Sequence, residues 1–223
     1  MRIILVLLLV PCSLAALWVG ENVTGGALNP EGLINETILS RRLSFADTNS
    51  FLLSDAHLDL GGYLALYPVG SHLAARIKFA PLLFLDAGVL AGAHLCWKHY
   101  TFPEGTTAYG KDVRDGLAHG VALIPYVSPF WVLKLKFGPV ILYNSFYLEK
   151  YFSDKLWYYW YHELMVRDGW IFSGGSYLLL EVDPKLFLML TAHLQKSFDT
   201  GDSRLLAGPG MRWHFRGPDT ALV

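Results

Sequence analysis

His72-Leu73-Ala74-Ala75-Arg76-Ile77-Lys78-Phe79 is the stretch on which the fold turns. Leu73, Ala75, Ile77 and Phe79 occupy every second position; His72, Arg76 and Lys78 take the alternate ones, with Ala74 between them. A period of two sends neighbouring side chains to opposite faces of an extended strand, so one face is apolar and the other is charged.

The same split recurs on both sides of this stretch. Leu83, Leu85, Ala87, Val89, Ala91, Ala93, Leu95 and Trp97 oppose Asp86, Gly88, Gly92 and His94. Trp131, Leu133, Leu135 and Phe137 oppose Lys134 and Lys136, and Leu186, Leu188, Leu190, Ala192 and Leu194 oppose Thr191, His193 and Gln195. Ala207, Met211, Trp213 and Phe215 oppose Gly208, Gly210, Arg212 and His214. Turn residues punctuate the runs at Pro68-Val69-Gly70, Gly138-Pro139, Asp168-Gly169, Asp183-Pro184 and Thr200-Gly201-Asp202-Ser203, which is hairpin spacing. The segment Thr101 to Asp115, with Pro103, Gly105 and Gly110, reads as a long external loop. The reading is a single all-β domain over residues 57–215 with about ten strands, in a range of roughly eight to twelve. Residues 16–56, rich in Gly, Asn, Ser and Thr without regular alternation, read as an irregular lead-in, and residues 216–223 as a tail.

Hydrophobic residues make up 53% of the 223 and charged ones 17%, with a mean hydropathy of +0.34, more apolar than a water-exposed domain needs. A formal charge of -1 gives no basic field to attract nucleic acid. Arg2, the apolar run Ile3 to Val10 and the small residues of Ser13-Leu14-Ala15 form a secretory signal with cleavage expected after Ala15. Removing Cys12 leaves Cys96 alone, so no disulfide can form within the mature chain. Asn22-Val23-Thr24 and Asn35-Glu36-Thr37 match the N-glycosylation triplet, which carries meaning only in a eukaryotic secretory host.

An exported chain of alternating strands with surplus apolar surface is expected to form an antiparallel up-and-down transmembrane β-barrel. A strand crosses a bilayer in roughly 9 to 11 residues, and a closed sheet leaves no backbone group unpaired in hydrocarbon. Trp157-Tyr158-Tyr159-Trp160-Tyr161, Trp170 and Phe172 supply interfacial aromatics. A soluble lipocalin-like barrel would place the apolar set inside, and alternation alone does not choose between the two polarities. Helical spans over Phe79 to Trp97 or Leu117 to Leu135 are disfavoured by Asp86 in the first window and by Pro125, Pro129 and Lys134 in the second.

The signal, the alternating segments, the aromatic clusters and a final run ending Met211-Arg212-Trp213-His214-Phe215 resemble small bacterial outer-membrane barrels. The likeness covers about His57 to Phe215 and departs from the class in the residues Arg216 to Val223 that follow the last aromatic. It implies an outer-membrane location, membrane lipid and the outer-membrane assembly machinery as partners, and a structural or interaction role or a narrow pore. A lipid-modifying hydrolase or acyltransferase is the alternative.

With the apolar faces toward lipid, Asp59, Arg76, Lys78, Asp86, Lys134, Lys136, Glu149, Glu181 and Arg212 would form a charge network in the lumen. Such a network either closes the interior or sets the ion preference of a pore. Tyr161-His162-Glu163 and Ser173-Gly174-Gly175-Ser176 offer a base, a carboxylate and hydroxyls if adjacent strands align them. The histidines lack metal-ligand spacing and no phosphate-binding loop is present, so no metal or cofactor is expected.

Overall fold

The computed structural model describes residues 16–28, 31–46, 49–100, 119–153, 157–159, 164–183 and 186–213. In chain order the strands are β1 (Ala16–Leu28), β2 (Glu31–Ser44), β3 (His57–Tyr67), β4 (Gly70–Leu82), β5 (Leu85–Tyr100), β6 (His119–Phe137), β7 (Val140–Tyr151), β8 (Trp157–Tyr159), β9 (Leu164–Val166), β10 (Trp170–Asp183), β11 (Leu186–Ser197) and β12 (Ser203–Trp213). Ten of them form one antiparallel sheet in the order β1-β2-β3-β4-β5-β6-β7-β10-β11-β12, while β8 and β9 pair with each other as a separate hairpin. No helix occurs among the described residues.

The sheet departs from the expectation in two respects. First, it begins at Ala16, not His57, because residues 16–28 and 31–44 are paired strands and not an irregular lead-in. Their weak alternation is offset by partners. Asn22 Nδ2 donates to Asn35 Oδ1 at 3.2 Å and to Thr37 Oγ1 at 2.7 Å, and Arg42 is clamped by Asp59 on β3. Second, the sheet is not closed: β1 and β12 stand at its two ends with no ladder between them among the described residues. The proposed signal (1–15), the loop Thr101 to Asp115, the triplet Tyr161-His162-Glu163 and the tail (216–223) lie outside the described residues.

The sheet is nevertheless strongly curled. The two-stranded β8–β9 hairpin contacts β5 on one side and β11 on the other, although four ladders, about 19 Å in a flat sheet, separate those strands. Inward-facing glycines permit the bend. A Cβ on Gly61 would overlap the carbonyl oxygen of Leu39, and one on Gly92 the carbonyl oxygen of Leu73, so the neighbouring strands approach too closely for any other residue.

Curling gives the two faces opposite character. The concave face buries His57, Asp59, His72, Lys78, Asp86, His94 and Glu149. The convex face exposes Leu73 (66%), Leu123 (67%) and Leu190 (59%), and with them Ile77, Leu95, Leu178, Leu180 and Leu188. Aromatics stand exposed at both ends of these apolar columns: Trp97, Phe152, Trp170 and Phe198 at one, Phe45, Phe79 and Phe137 at the other. The first group lies at the end that carries the connections 68–69, 101–118, 152–169 and 198–202, here the loop end. The second lies at the end with the connections 45–56, 83–84, 138–139 and 184–185 and the outer ends of β1 and β12, here the turn end.

Candidate functional site

The inner face holds three groups of polar side chains, stacked from one end to the other. At the turn end, charges of alternating sign cross five adjacent strands. Arg42 on β2 donates to both carboxylate oxygens of Asp59 on β3, at 2.8 and 3.0 Å. Lys78 Nζ on β4 lies 3.1 Å from Asp59 and 4.0 Å from Asp86 on β5, and Lys134 Nζ on β6 lies 2.6 Å from Asp86. The register makes this chain, since Asp59 stands directly opposite both Arg42 and Lys78. His57 is buried beside it, its Nε2 3.5 Å from Asp59. Farther round the sheet, Lys136 pairs with Glu181 on β10 at 2.9 Å. Buried ions are tolerated only when paired and hydrogen-bonded, which the alternation of sign supplies.

The middle of the face is aromatic. Tyr63 donates to Glu36 at 3.1 Å, Phe130 stacks on Tyr147 with centroids 5.7 Å apart, and the Arg76 guanidinium lies 5.5 Å from the Phe130 centroid. Arg76 Nη1, Tyr126 Oη and Ser128 Oγ are buried without a hydrogen-bond partner among the described residues. Leaving such atoms dry costs stability, so this stretch is packed for filling more than for polar satisfaction.

At the loop end lies a His–Tyr cluster. His72 on β4 and His94 on β5 are cross-strand partners with Nε2 and Nδ1 2.8 Å apart. The Tyr67 hydroxyl meets the His94 ring at 2.9 Å, and Tyr151 donates to Glu149 at 2.6 Å. Tyr126 and Tyr151 stack with centroids 5.5 Å apart, and His94 is 1% exposed. The β8–β9 hairpin closes over this group. β8 approaches β5 and β9 approaches β11, so the hairpin bridges two walls of the curled sheet. Its Leu164 and Val166 are buried in the same apolar cluster as Tyr126, Tyr151 and Ile171.

The residues singled out from sequence fall as follows. Asp59, Lys78, Asp86 and Lys134 are brought into the chain at the turn end, and Lys136 with Glu181 into a pair beside it. The Arg76 guanidinium lies over Phe130, and Glu149 accepts from Tyr151 in the loop-end cluster. Arg212 sits on β12 opposite Phe187. Of the hydroxyls weighed for catalysis, Ser173 and Ser176 are three positions apart on β10 and so face opposite sides of the sheet, with Ser176 bonded to Asn144 at 2.8 Å. No group of three or more metal-ligating side chains occurs among the described residues. Arg42, His57 and the His72–His94–Tyr67 contact are missing from the sequence-derived set. Arg42 had a signal, because Ser40, Arg42 and Ser44 alternate with Leu39 and Leu43, but its partner was legible only from register. Comparison of the chain with protein-family models, with curated proteins and with solved structures gives no match.

Proposed function

We propose that the ten-stranded sheet closes by pairing β1 with β12 into a transmembrane barrel of a bacterial outer membrane, reached through a cleaved signal. In this reading its filled interior makes it a structural or interaction protein and not an open pore. The observation that carries the reading is the inverted polarity: an exposed apolar convex face and a concave face that buries charge. In water the first would be an aggregation surface; in hydrocarbon it is the solvated side. Closure is geometrically available because an even-numbered meander leaves its first and last strands antiparallel. Two exposed aromatic belts also suit a membrane barrel. The paired charges at one end and the hairpin over the other favour a sealed interior above a pore.

The test is gel mobility of boiled and unboiled protein taken from an outer-membrane fraction, followed by conductance in a planar bilayer. The reading expects a heat-dependent shift and no steady conductance. Recovery from the soluble fraction without a shift refutes the barrel, and stable ohmic channels refute the sealed interior.

A further inference from the structure

The convex face of β4 to β7, β10 and β11 is mostly apolar along its columns; Asn144 and Ser176 interrupt it at mid-height, bonded to each other, and charge enters it near the loop end. There Lys150 on β7 and Lys196 on β11 occupy outward positions flanking Trp170 on β10. Lys150 stands directly opposite Trp170, Lys196 directly opposite Phe172, and the Phe198 amide donates to the Trp170 carbonyl at 2.9 Å. Two strand spacings and one rung separate the lysines, about 12 Å between Cα atoms, so their flexible stems can converge above Trp170. Each ammonium lies over an aromatic ring, Lys150 Nζ 5.8 Å from the Phe152 centroid and Lys196 Nζ 5.9 Å from the Phe198 centroid. The rings are themselves exposed, at 51% and 57%.

Among the described residues, the connections beside these lysines carry the carboxylates Asp168, Asp199 and Asp202, the last next to Ser203, which pairs with Lys196. Lys150 Nζ donates to the Asp168 carbonyl at 2.7 Å and lies 3.1 Å from its carboxylate. Lys196 has no ion-pair partner among the described residues. Asp199 is occupied by the Arg167 amide and the Ser197 hydroxyl. The patch therefore combines a cation paired with an exposed carboxylate, a cation with no ion pair among the described residues and exposed aromatic faces.

We propose that this patch binds a membrane lipid carrying a phosphate-monoester headgroup, with its acyl chains lying along the convex face below. The inference rests on the membrane-barrel reading. Charge complementarity chooses the headgroup: two ammonium groups match a doubly charged phosphate, the neighbouring rings accept the interfacial part of the lipid, and the apolar columns accept its tails. A single snorkelling lysine needs no such lipid; two of them on the strands either side of one tryptophan favour it.

The experiment reconstitutes the full chain into nanodiscs of phosphatidylcholine with or without phosphatidic acid and measures retained lipid by native mass spectrometry. Wild type is expected to retain phosphatidic acid in preference to phosphatidylcholine. Lys150→Gln and Lys196→Gln should each weaken that preference about fivefold, the factor equivalent to ~1 kcal/mol per cation near an anionic membrane surface. Asp168→Asn should strengthen it by removing the competing carboxylate. Arg41→Gln, on the convex face of β2 toward the turn end, should leave it unchanged. An equal loss in Arg41→Gln, no change in either lysine variant, or displacement of the lipid by inorganic phosphate would overturn the proposal. Insertion into pure phosphatidylcholine with no phosphatidic acid preference refutes the lipid site alone; failure to insert into either bilayer refutes the barrel reading beneath it.

Discussion

Replacing Asp59 by alanine removes the carboxylate that joins Arg42 and Lys78. Asp59 is 1% exposed and accepts two bonds from Arg42, with Lys78 at 3.1 Å. Its loss leaves two cations facing each other from strands on either side, one of them buried, with Asp86 4.0 Å from Lys78 and Asp55 and Glu21 in the neighbourhood of Arg42 as the remaining counter-charges. Breaking a buried pair by deleting one partner costs about 3–5 kcal/mol, because the remaining charge keeps its desolvation penalty. Arg42 is a quarter exposed and recovers part of this through water, so the lower half of that range is expected. Lys134→Ala is the internal comparison. Its side chain is 41% exposed, and an ion pair so accessible to water contributes about 1 kcal/mol or less. The double variant Asp59→Ala with Lys78→Met should be less destabilised than the sum of its parts, since the uncompensated ammonium is gone. Urea unfolding of protein refolded into lipid vesicles measures all four. If Asp59→Ala costs no more than Lys134→Ala, the buried chain of charges is not what holds β2, β3 and β4 in register.

Leu190→Arg, at the middle of a convex-face column, should cost about 2–4 kcal/mol of folding in a bilayer, and equal stability of variant and wild type there would argue that the convex face does not meet lipid. Gly92→Val should prevent folding because its side chain would enter the backbone of β4, whereas Gly62→Ala, whose nearest neighbour is the Ala74 carbonyl at 3.9 Å, should fold normally; thermal scans of the two distinguish them. Val166→Asp places a carboxylate where the side chain is fully buried, so the β8–β9 hairpin should leave the interior and become the first site of limited proteolysis. An unchanged cleavage pattern would mean that Val166 does not anchor the hairpin.

Alternation made β4, β5, the second half of β6, β11 and β12 legible, because their apolar residues repeat at two and the runs break at Gly, Pro or Asp. Pro125 and Pro129 within β6 did not obscure it: the β6–β7 ladder skips residues 128 and 129, where proline has no amide to give. β1 and β2 were illegible for the opposite reason. Asn22, Asn35, Thr37 and Arg41 face outward where the other strands carry apolar residues, so the two-residue period shows a contrast of polarity only briefly, around Leu39 and Leu43.

The sequence by itself determined which residues share a face, since that follows from the pleat of each strand alone. It also determined where most turns fall. Which face lies inside, and which charge meets which, were decided by tertiary structure. Curvature comes from contacts between strands, such as those at Gly61 and Gly92, and pairing comes from register between segments far apart in the chain. Lys78 was readable as a polar-face residue; that it stands between Asp59 and Asp86, 19 positions before it and 8 after it, depended on three strands settling side by side. The hairpin over the His72–His94 cluster is the extreme case, because nothing local to Leu164 or Val166 signals that β5 and β11 will come within reach of one hairpin.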